Sequence, residues 1–439
     1  MSAFDKVIGC KEIKTELIRY CDTLKNTGKY KQLGVNPPQG VLLYGEPGVG
    51  KTLMAKCFIE EVGLPAFTIR KEKPNGAFID YVKEIFEKAE DAAPSIIFLD
   101  DLDKFANEDD DHPNAEEYIT VQSCIDESRN SSVFVLATAN EIRKLPESLI
   151  RSGRFDKTIE ICVSERDTSE IMNHYLGSKQ VAPDIDPTLI ASIMQGYSYA
   201  ALETVINEAG IYAGYEGKSV IEQEDIINAC LRIRYNAPEY SDDVLPEVTE
   251  VRAIHEAGHA VVSEILDPEK VMLVSICFNT DRSGGLCITK RDYFTRVNDK
   301  RSIEKGIIIS LAGKAATDIY GIKDTGIRID LENAYGDIGA LIDELCMYGF
   351  REFDNCFDSS DSLYRQREIL KAQEMEKYYQ KARDILIEYR EFLDEMVEQL
   401  KRKKILTNRD IFDMEDRLKI FGYASPQYER RANVISYTF

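Results

Sequence analysis

Gly40-Val41-Leu42-Leu43-Tyr44-Gly45-Glu46-Pro47-Gly48-Val49-Gly50-Lys51-Thr52 decides how the first part of this chain folds. Its opening apolar run reads as a buried strand, a glycine-rich turn follows, and Leu53 to Val62 continues with helical periodicity. The turn fits G-x-x-x-x-G-K-[ST]. Glycines there let successive backbone N–H groups turn inward around phosphate oxygens, with the lysine on the β/γ-phosphates and the hydroxyl on Mg²⁺. Gly45, Glu46, Pro47, Gly48, Val49, Gly50, Lys51, Thr52 and Leu53 are the expected contacts to a nucleotide triphosphate such as ATP. A glycine-rich turn without a ligand would need no strand before it and no helix after it.

Outward from this loop, Ala66 to Ile69, Ser95 to Leu99 and Ser132 to Leu136 read as further buried strands. Helical stretches lie between them around 52–62, 79–91 and 115–127. Such alternation predicts an α/β module, a parallel sheet flanked by helices. The strand Ile96-Ile97-Phe98-Leu99 delivers Asp100 and Asp101 at its C-terminal end. Asp100 is placed to hold the Mg²⁺ shell and Asp101 to orient the attacking water, helped by Asn140 after the Val133 to Ala137 strand. Arg151 and Arg154 are candidate arginine fingers, acting on a neighbouring subunit. From 166 to 236 the pattern is helical only, with Ile185-Asp186-Pro187 and Gly196-Tyr197-Ser198 as helix entries.

Composition narrows the function. The 439 residues suggest two or three domains, and a net charge of −22 argues against general nucleic-acid binding and against an anionic membrane surface. Ten cysteines without a C-x-x-C pair suit reduced thiols in the cytoplasm. No secretory signal is visible, and no apolar run approaches the ~18–20 residues of a membrane span.

A Pro-containing acidic stretch at 237–246 reads as a linker. Beyond it, His255-Glu256-Ala257-Gly258-His259 supplies two of the chain's four histidines at i and i+4. At about 3.6 residues per turn both imidazoles share one helical face. Glu256 between them can reach a water on the same metal, the arrangement of zinc hydrolases. Strands follow at Lys270 to Phe278 and Gly285 to Thr289. Tyr378, Ala382, Ile385, Tyr389, Phe392 and Met396 then mark a heptad-like stripe, read as a packed amphipathic helix. The expected division is 1–165 for the α/β domain, 166–236 for a helical lid, 247–424 for a mainly α-helical peptidase domain with a small sheet, and 425–439 for a tail.

Together these residues resemble the FtsH family, an AAA+ ATPase fused to an H-E-x-x-H zinc peptidase. The resemblance runs from Phe4 to about Phe421. It implies that Ile8 and Gly9 touch adenine, that His174 approaches the same base, and that Gly196-Tyr197-Ser198 through Asn207-Glu208-Ala209 forms the lid motif. Thr325-Gly326-Ile327-Arg328-Ile329-Asp330-Leu331 resembles the segment supplying the third zinc ligand, so the resemblance makes Asp330 a ligand with His255 and His259. An aspartate opening a helix would otherwise read as an N-cap. Gly285 to Thr289 resembles the edge strand that receives extended substrate. The resemblance also implies a homo-oligomeric ring, a hexamer, and protein or peptide substrates.

The chain departs from the family pattern in four ways. No membrane-spanning segment is visible, so a member without the anchor, or one cut after it, is expected. Asp101 stands where glutamate is usual, which places the water further away and predicts slow ATP hydrolysis. The segment Arg70 to Tyr81 lacks the family's Phe-containing pore loop, with Pro74-Asn75-Gly76 in its place and Phe78 as the candidate substitute. Acidic Asn107 to Glu117 replaces a Gly-rich second loop. These departures bear on ATP-driven threading rather than on peptide hydrolysis. The leading expectation is an ATP-dependent zinc endopeptidase. Behind it stand a zinc peptidase whose ATPase module is an assembly platform or switch, and a remodelling ATPase with a structural zinc.

Overall fold

A computed structural model describes residues 2–34, 38–72, 75–106, 115–151, 153–237, 245–277, 284–290, 300–323, 326–348 and 361–421. Outside the described residues lie Pro74, acidic residues 107–114, most of the 237–246 linker, Phe278, Thr325 and the 425–439 tail. The chain divides into two compact units, residues 1–226 and 227–439.

In the first unit, helices α1 (Lys11–Lys25) and α2 (Thr27–Gln32) precede five strands, β1 (Gly40–Tyr44), β2 (Ala66–Ile69), β3 (Ser95–Leu99), β4 (Val133–Ala139) and β5 (Lys157–Glu160). Their order is β2-β3-β4-β1-β5, with every pair parallel. Every residue of β3 and β4 is buried, as expected of central strands covered on both faces. Parallel register brings strand ends together: Leu43 pairs with Thr138, and Leu99 with Ala137. The loop after β1, Asp100 after β3 and Asn140 after β4 therefore share one edge of the sheet, where ligands bind in this class of fold.

Helices α3 (Lys51–Val62), α4 (Asn75–Asp91), α5 (Glu116–Glu127) and α6 (Glu147–Ile150) connect the strands. Phe78 is fully buried, packed edge-on against Phe105 with ring centroids 5.0 Å apart, and Lys71 Nζ lies 4.7 Å from its ring centre. Asn75 and Gly76 open α4 rather than forming a loop. Phe78 therefore cannot be the exposed pore aromatic that the sequence suggested, because α4 turns it into the core with Val82 and Phe86.

Three helices complete this unit, α7 (Glu165–Gly177), α8 (Pro187–Ile193) and α9 (Tyr199–Tyr215), and α10 (Gln223–Tyr235) runs across the division into the second. The expected punctuation is physical. Asp186 caps α8 by accepting from the Thr188 and Leu189 N–H groups, with Pro187 at its start, and Ser198 caps α9 through Ala201 N–H.

The second unit is built on α11 (Pro246–Leu266) and α12 (Lys300–Ile319), with α13 (Arg328–Gly339), α14 (Asp361–Glu388), α15 (Arg390–Lys403) and α16 (Asn408–Leu418). A small antiparallel sheet has the order β7-β6-β8, from β6 (Val271–Ser275), β7 (Leu286–Thr289) and β8 (Ile405–Thr407). α11 and α12 approach closely at Gly258, where a Cβ would lie 2.6 Å from the Ala312 carbonyl oxygen. Glu264, buried near the end of α11, accepts the Glu269 and Val271 N–H groups and fixes the turn into β6. The apolar stripe over 378–396 packs into the core, as expected of an amphipathic helix, but it is two helices broken at Tyr389. No helix among the described residues is long and apolar enough to cross a membrane.

Candidate active site and nucleotide site

α11 starts with Pro246 at its first turn and is buried along most of its length from Ala253. Helical spacing stacks His255 and His259, with Nε2 atoms 3.0 Å apart. Asp330, in the first turn of α13, places Oδ2 3.1 Å from His255 Nε2 and 3.4 Å from His259 Nε2. Ile327 takes the cap position of α13, so Asp330 is free of the N-cap role that its place suggested.

The donor set fits a metal ion. His259 Nδ1 lies 2.7 Å from the Ile309 carbonyl oxygen, which selects the tautomer protonated at Nδ1 and turns the Nε2 lone pair toward Asp330. Two imidazole nitrogens and a carboxylate oxygen facing one point repel one another unless a proton or a metal cation lies between them. Burial works to raise the Asp330 pKa, but hydrogen bonds and charge from His255 and His259 outweigh it and hold the carboxyl well below its usual range. Burial works to lower His259, and Asp330 outweighs that too, so the imidazole is shifted upward. Two nitrogens and one oxygen from three residues make an open zinc set, with room for one more ligand.

Glu256 is buried beside this centre, and burial raises its pKa. The residue before β7 lies directly on it: a Cβ at Gly285 would sit 2.7 Å from Glu256 Oε1. His255, Glu256, His259 and Asp330 line one cavity of about 730 Å³, with Leu286 and Cys287 of β7 on its wall. Burial pushes the Cys287 thiol on this wall well above its usual range. β7 is an edge strand among the described residues, as the sequence reading requires.

Sequence reasoning missed Gly313. A Cβ there would lie 2.6 Å from both His255 Cε1 and His259 Nε2, so only glycine lets α12 pass behind the imidazoles. Gly313→Ala is expected to weaken zinc binding about 10–100-fold without altering a ligand, the scale seen when support behind metal ligands is lost. Zinc titration with a competing chelator measures this. The signal was the small-residue spacing along α12, meaningless until that helix is known to face His255.

In the first unit a cavity of about 780 Å³ is lined by Ile8, Pro47, Gly48, Val49, Gly50, Lys51, Thr52, Leu53, Asp101, Asn140 and His174. Gly48 has φ 81°, and its Cβ would meet Ser198 Oγ at 2.8 Å, so the cap of α9 sits against the loop. Lys51 Nζ donates to the Gly45 and Glu46 carbonyls at 2.7 Å each, and burial lowers its pKa. Gly45 and Glu46 thus position the lysine rather than line the cavity. Gly9 packs against Asp167 beside Ile8.

Asp100 accepts from the hydroxyls of Thr52 at 3.2 Å and Thr138 at 2.8 Å. Asp101 has φ 56° and an ion pair with Lys104 at 2.8 Å. Asp103, overlooked in sequence, is buried and accepts the Asn140 N–H at 3.0 Å, which aligns that residue at the cavity. Arg154 does not reach outward as expected of a finger. It is buried, its guanidinium held by Asp126 at 2.7 Å, Gln122 at 2.9 Å and the Ser148 carbonyl at 2.5 Å. Arg151 is exposed and stays available.

A parallel sheet with this phosphate-loop cavity defines an ATPase module. Residues 41–163 match the ATPase family associated with various cellular activities (AAA). ATP-dependent zinc metalloprotease FtsH 3 of Symbiobacterium thermophilum is 31% identical over 94% of this chain, which covers 71% of that protein. The FtsH protein of Aquifex aeolicus is 32% identical over 75% of the chain, covering 55% of its own length. FtsH 3 of Petrotoga mobilis is 29% identical over 100% of the chain and 74% of its own length. The chain belongs to the FtsH family.

Proposed function

We propose that this chain is an ATP-dependent zinc metalloendopeptidase that degrades protein substrates as a ring of identical subunits, a hexamer. The observation that carries the reading is the convergence of His255, His259 and Asp330, with Glu256 in the same cavity. We assign 1–165 and 166–236 to the ATPase domain and its lid, and 247–424 to the peptidase. The free cysteines among the described residues suit the reducing cytoplasm.

Zinc, when bound, supplies a Lewis acid that acidifies water and polarises a carbonyl. His255 and His259 would hold it through Nε2, and Asp330 through a carboxylate oxygen. Glu256 takes the attacking water's proton on its carboxylate and returns it to the leaving amine. The edge of β7 that is unpaired among the described residues pairs with an extended substrate and lays it beside Glu256. In the ATPase, Lys51 would hold the β/γ-phosphates, Thr52 and Asp100 the Mg²⁺, and Asp101 and Asn140 the attacking water, while Arg151 would reach a neighbouring subunit's nucleotide. Ile8, Gly9 and His174 would lie toward the base.

A second reading concerns what ATP does. Phe78 is buried and Asp101 is paired with Lys104, which favours an ATPase that assembles and switches the ring over one that pulls folded chains apart. Under saturating ATP, unfolded casein is expected to be degraded and a stably folded domain to survive. Rapid ATP-dependent loss of the folded substrate would restore threading. A purely structural zinc is disfavoured, because it leaves a buried carboxylate aimed into the cavity without a task.

A further inference from the structure

We propose that Arg70 is a built-in competitor of the divalent cation at Asp100 and sets how much Mg²⁺ the site needs before it holds nucleotide. The inference rests on the nucleotide site assigned above. Ile69 ends β2 opposite Leu99 at the end of β3, and Asp100 N–H donates to the Ile69 carbonyl at 3.0 Å. The next residues, Arg70 and Asp100, therefore stand side by side at the sheet edge that carries the phosphate loop.

Arg70 uses two donors on one oxygen, Nε at 2.8 Å and Nη2 at 2.5 Å from Asp100 Oδ2. The other oxygen, Oδ1, takes the Thr138 and Thr52 hydroxyls. Both carboxylate oxygens thus already accept two hydrogen bonds each. A cation that reaches Asp100, directly or through its water, must displace a guanidinium N–H from Oδ2 or a hydroxyl from Oδ1. It also meets the guanidinium charge at short range.

Exposure decides which partner yields. The Asp100 side chain is 6% exposed and that of Arg70 is 48% exposed. The carboxylate cannot leave, whereas the guanidinium can swing into water with little desolvation change. Thr52, assigned to the cation, already touches this carboxylate, so Mg²⁺ on Thr52 falls next to the Arg70 pair. Arg70 is therefore a positioning residue acting through Asp100, and its strength is that of a charge-assisted pair.

The test follows binding of a fluorescent, non-hydrolysable ATP analogue to the full chain while Mg²⁺ is titrated. Arg70→Ala removes the side chain. Arg70→Gln keeps a donor for Asp100 without the charge and serves if the alanine variant does not fold. The Mg²⁺ concentration at half-saturation is expected to fall at least about tenfold in both, the scale of one hydrogen bond to a charged group. An unchanged Mg²⁺ requirement in the glutamine variant overturns the proposal, leaving Arg70 as a brace between β2 and β3. Failure of the parent chain to bind the analogue at any Mg²⁺ concentration overturns the nucleotide-site reading itself, and this inference with it.

Discussion

Glu256→Gln is expected to lower casein cleavage by about 10²–10⁴-fold, the usual contribution of a positioned general base, while bound zinc and ATP hydrolysis stay at the parent level. Glutamine matches glutamate in shape and keeps the contact with Gly285, so the cavity wall is undisturbed. What it loses is the ability to take a proton. Burial disfavours the Glu256 charge, so a neutral amide should leave the fold at least as stable. Cleavage assays with metal and phosphate-release measurements on the same preparation separate these effects. Equal cleavage by the variant would remove Glu256 from the mechanism.

The second large effect is expected at Asp330. Asp330→Ala should weaken zinc binding at least about 100-fold, beyond the 10–100-fold typical of support groups behind a ligand. His255 and His259 would remain, their Nε2 atoms 3.0 Å apart with no anion to balance a dication. Asp330→Asn keeps the shape and one oxygen but loses the charge, and should fall between the two. Zinc content after dialysis against a weak chelator reads the difference. Full zinc retention in the alanine variant would mean that another group completes the set.

Much of this was legible in sequence, for physical reasons. The phosphate loop declares itself because its strand, glycines and helix are contiguous, and the i, i+4 histidines because a helix converts spacing into a shared face. Asp330 is different: it reaches His255 across 75 residues of chain, so only family resemblance, not local pattern, pointed to it. Short strands β5 and β8 escaped notice because Lys157–Glu160 and Ile405–Thr407 carry little apolar pattern and are set by their neighbours.

Phe78 and Arg154 show how tertiary context overrides position. Phe78 stands where a loop aromatic was sought, yet with Val82, Phe86 and Ala89 it forms a helical stripe that assigns it to the core. Arg154 kept company with Arg151 in sequence, but Asp126 on α5 claims its guanidinium. The Arg70–Asp100 pair depends on β2 and β3 being neighbours, a sheet order that sequence does not state.

The most direct test of the central claim is metal removal and return on the purified chain, with unfolded casein cleavage as the readout in ATP and Mg²⁺. Stripping zinc with a chelator selective over Mg²⁺ should abolish cleavage, and about one equivalent of Zn²⁺ per chain, as the open three-residue donor set requires, should restore it. Cleavage that persists in zinc-free protein would contradict the account.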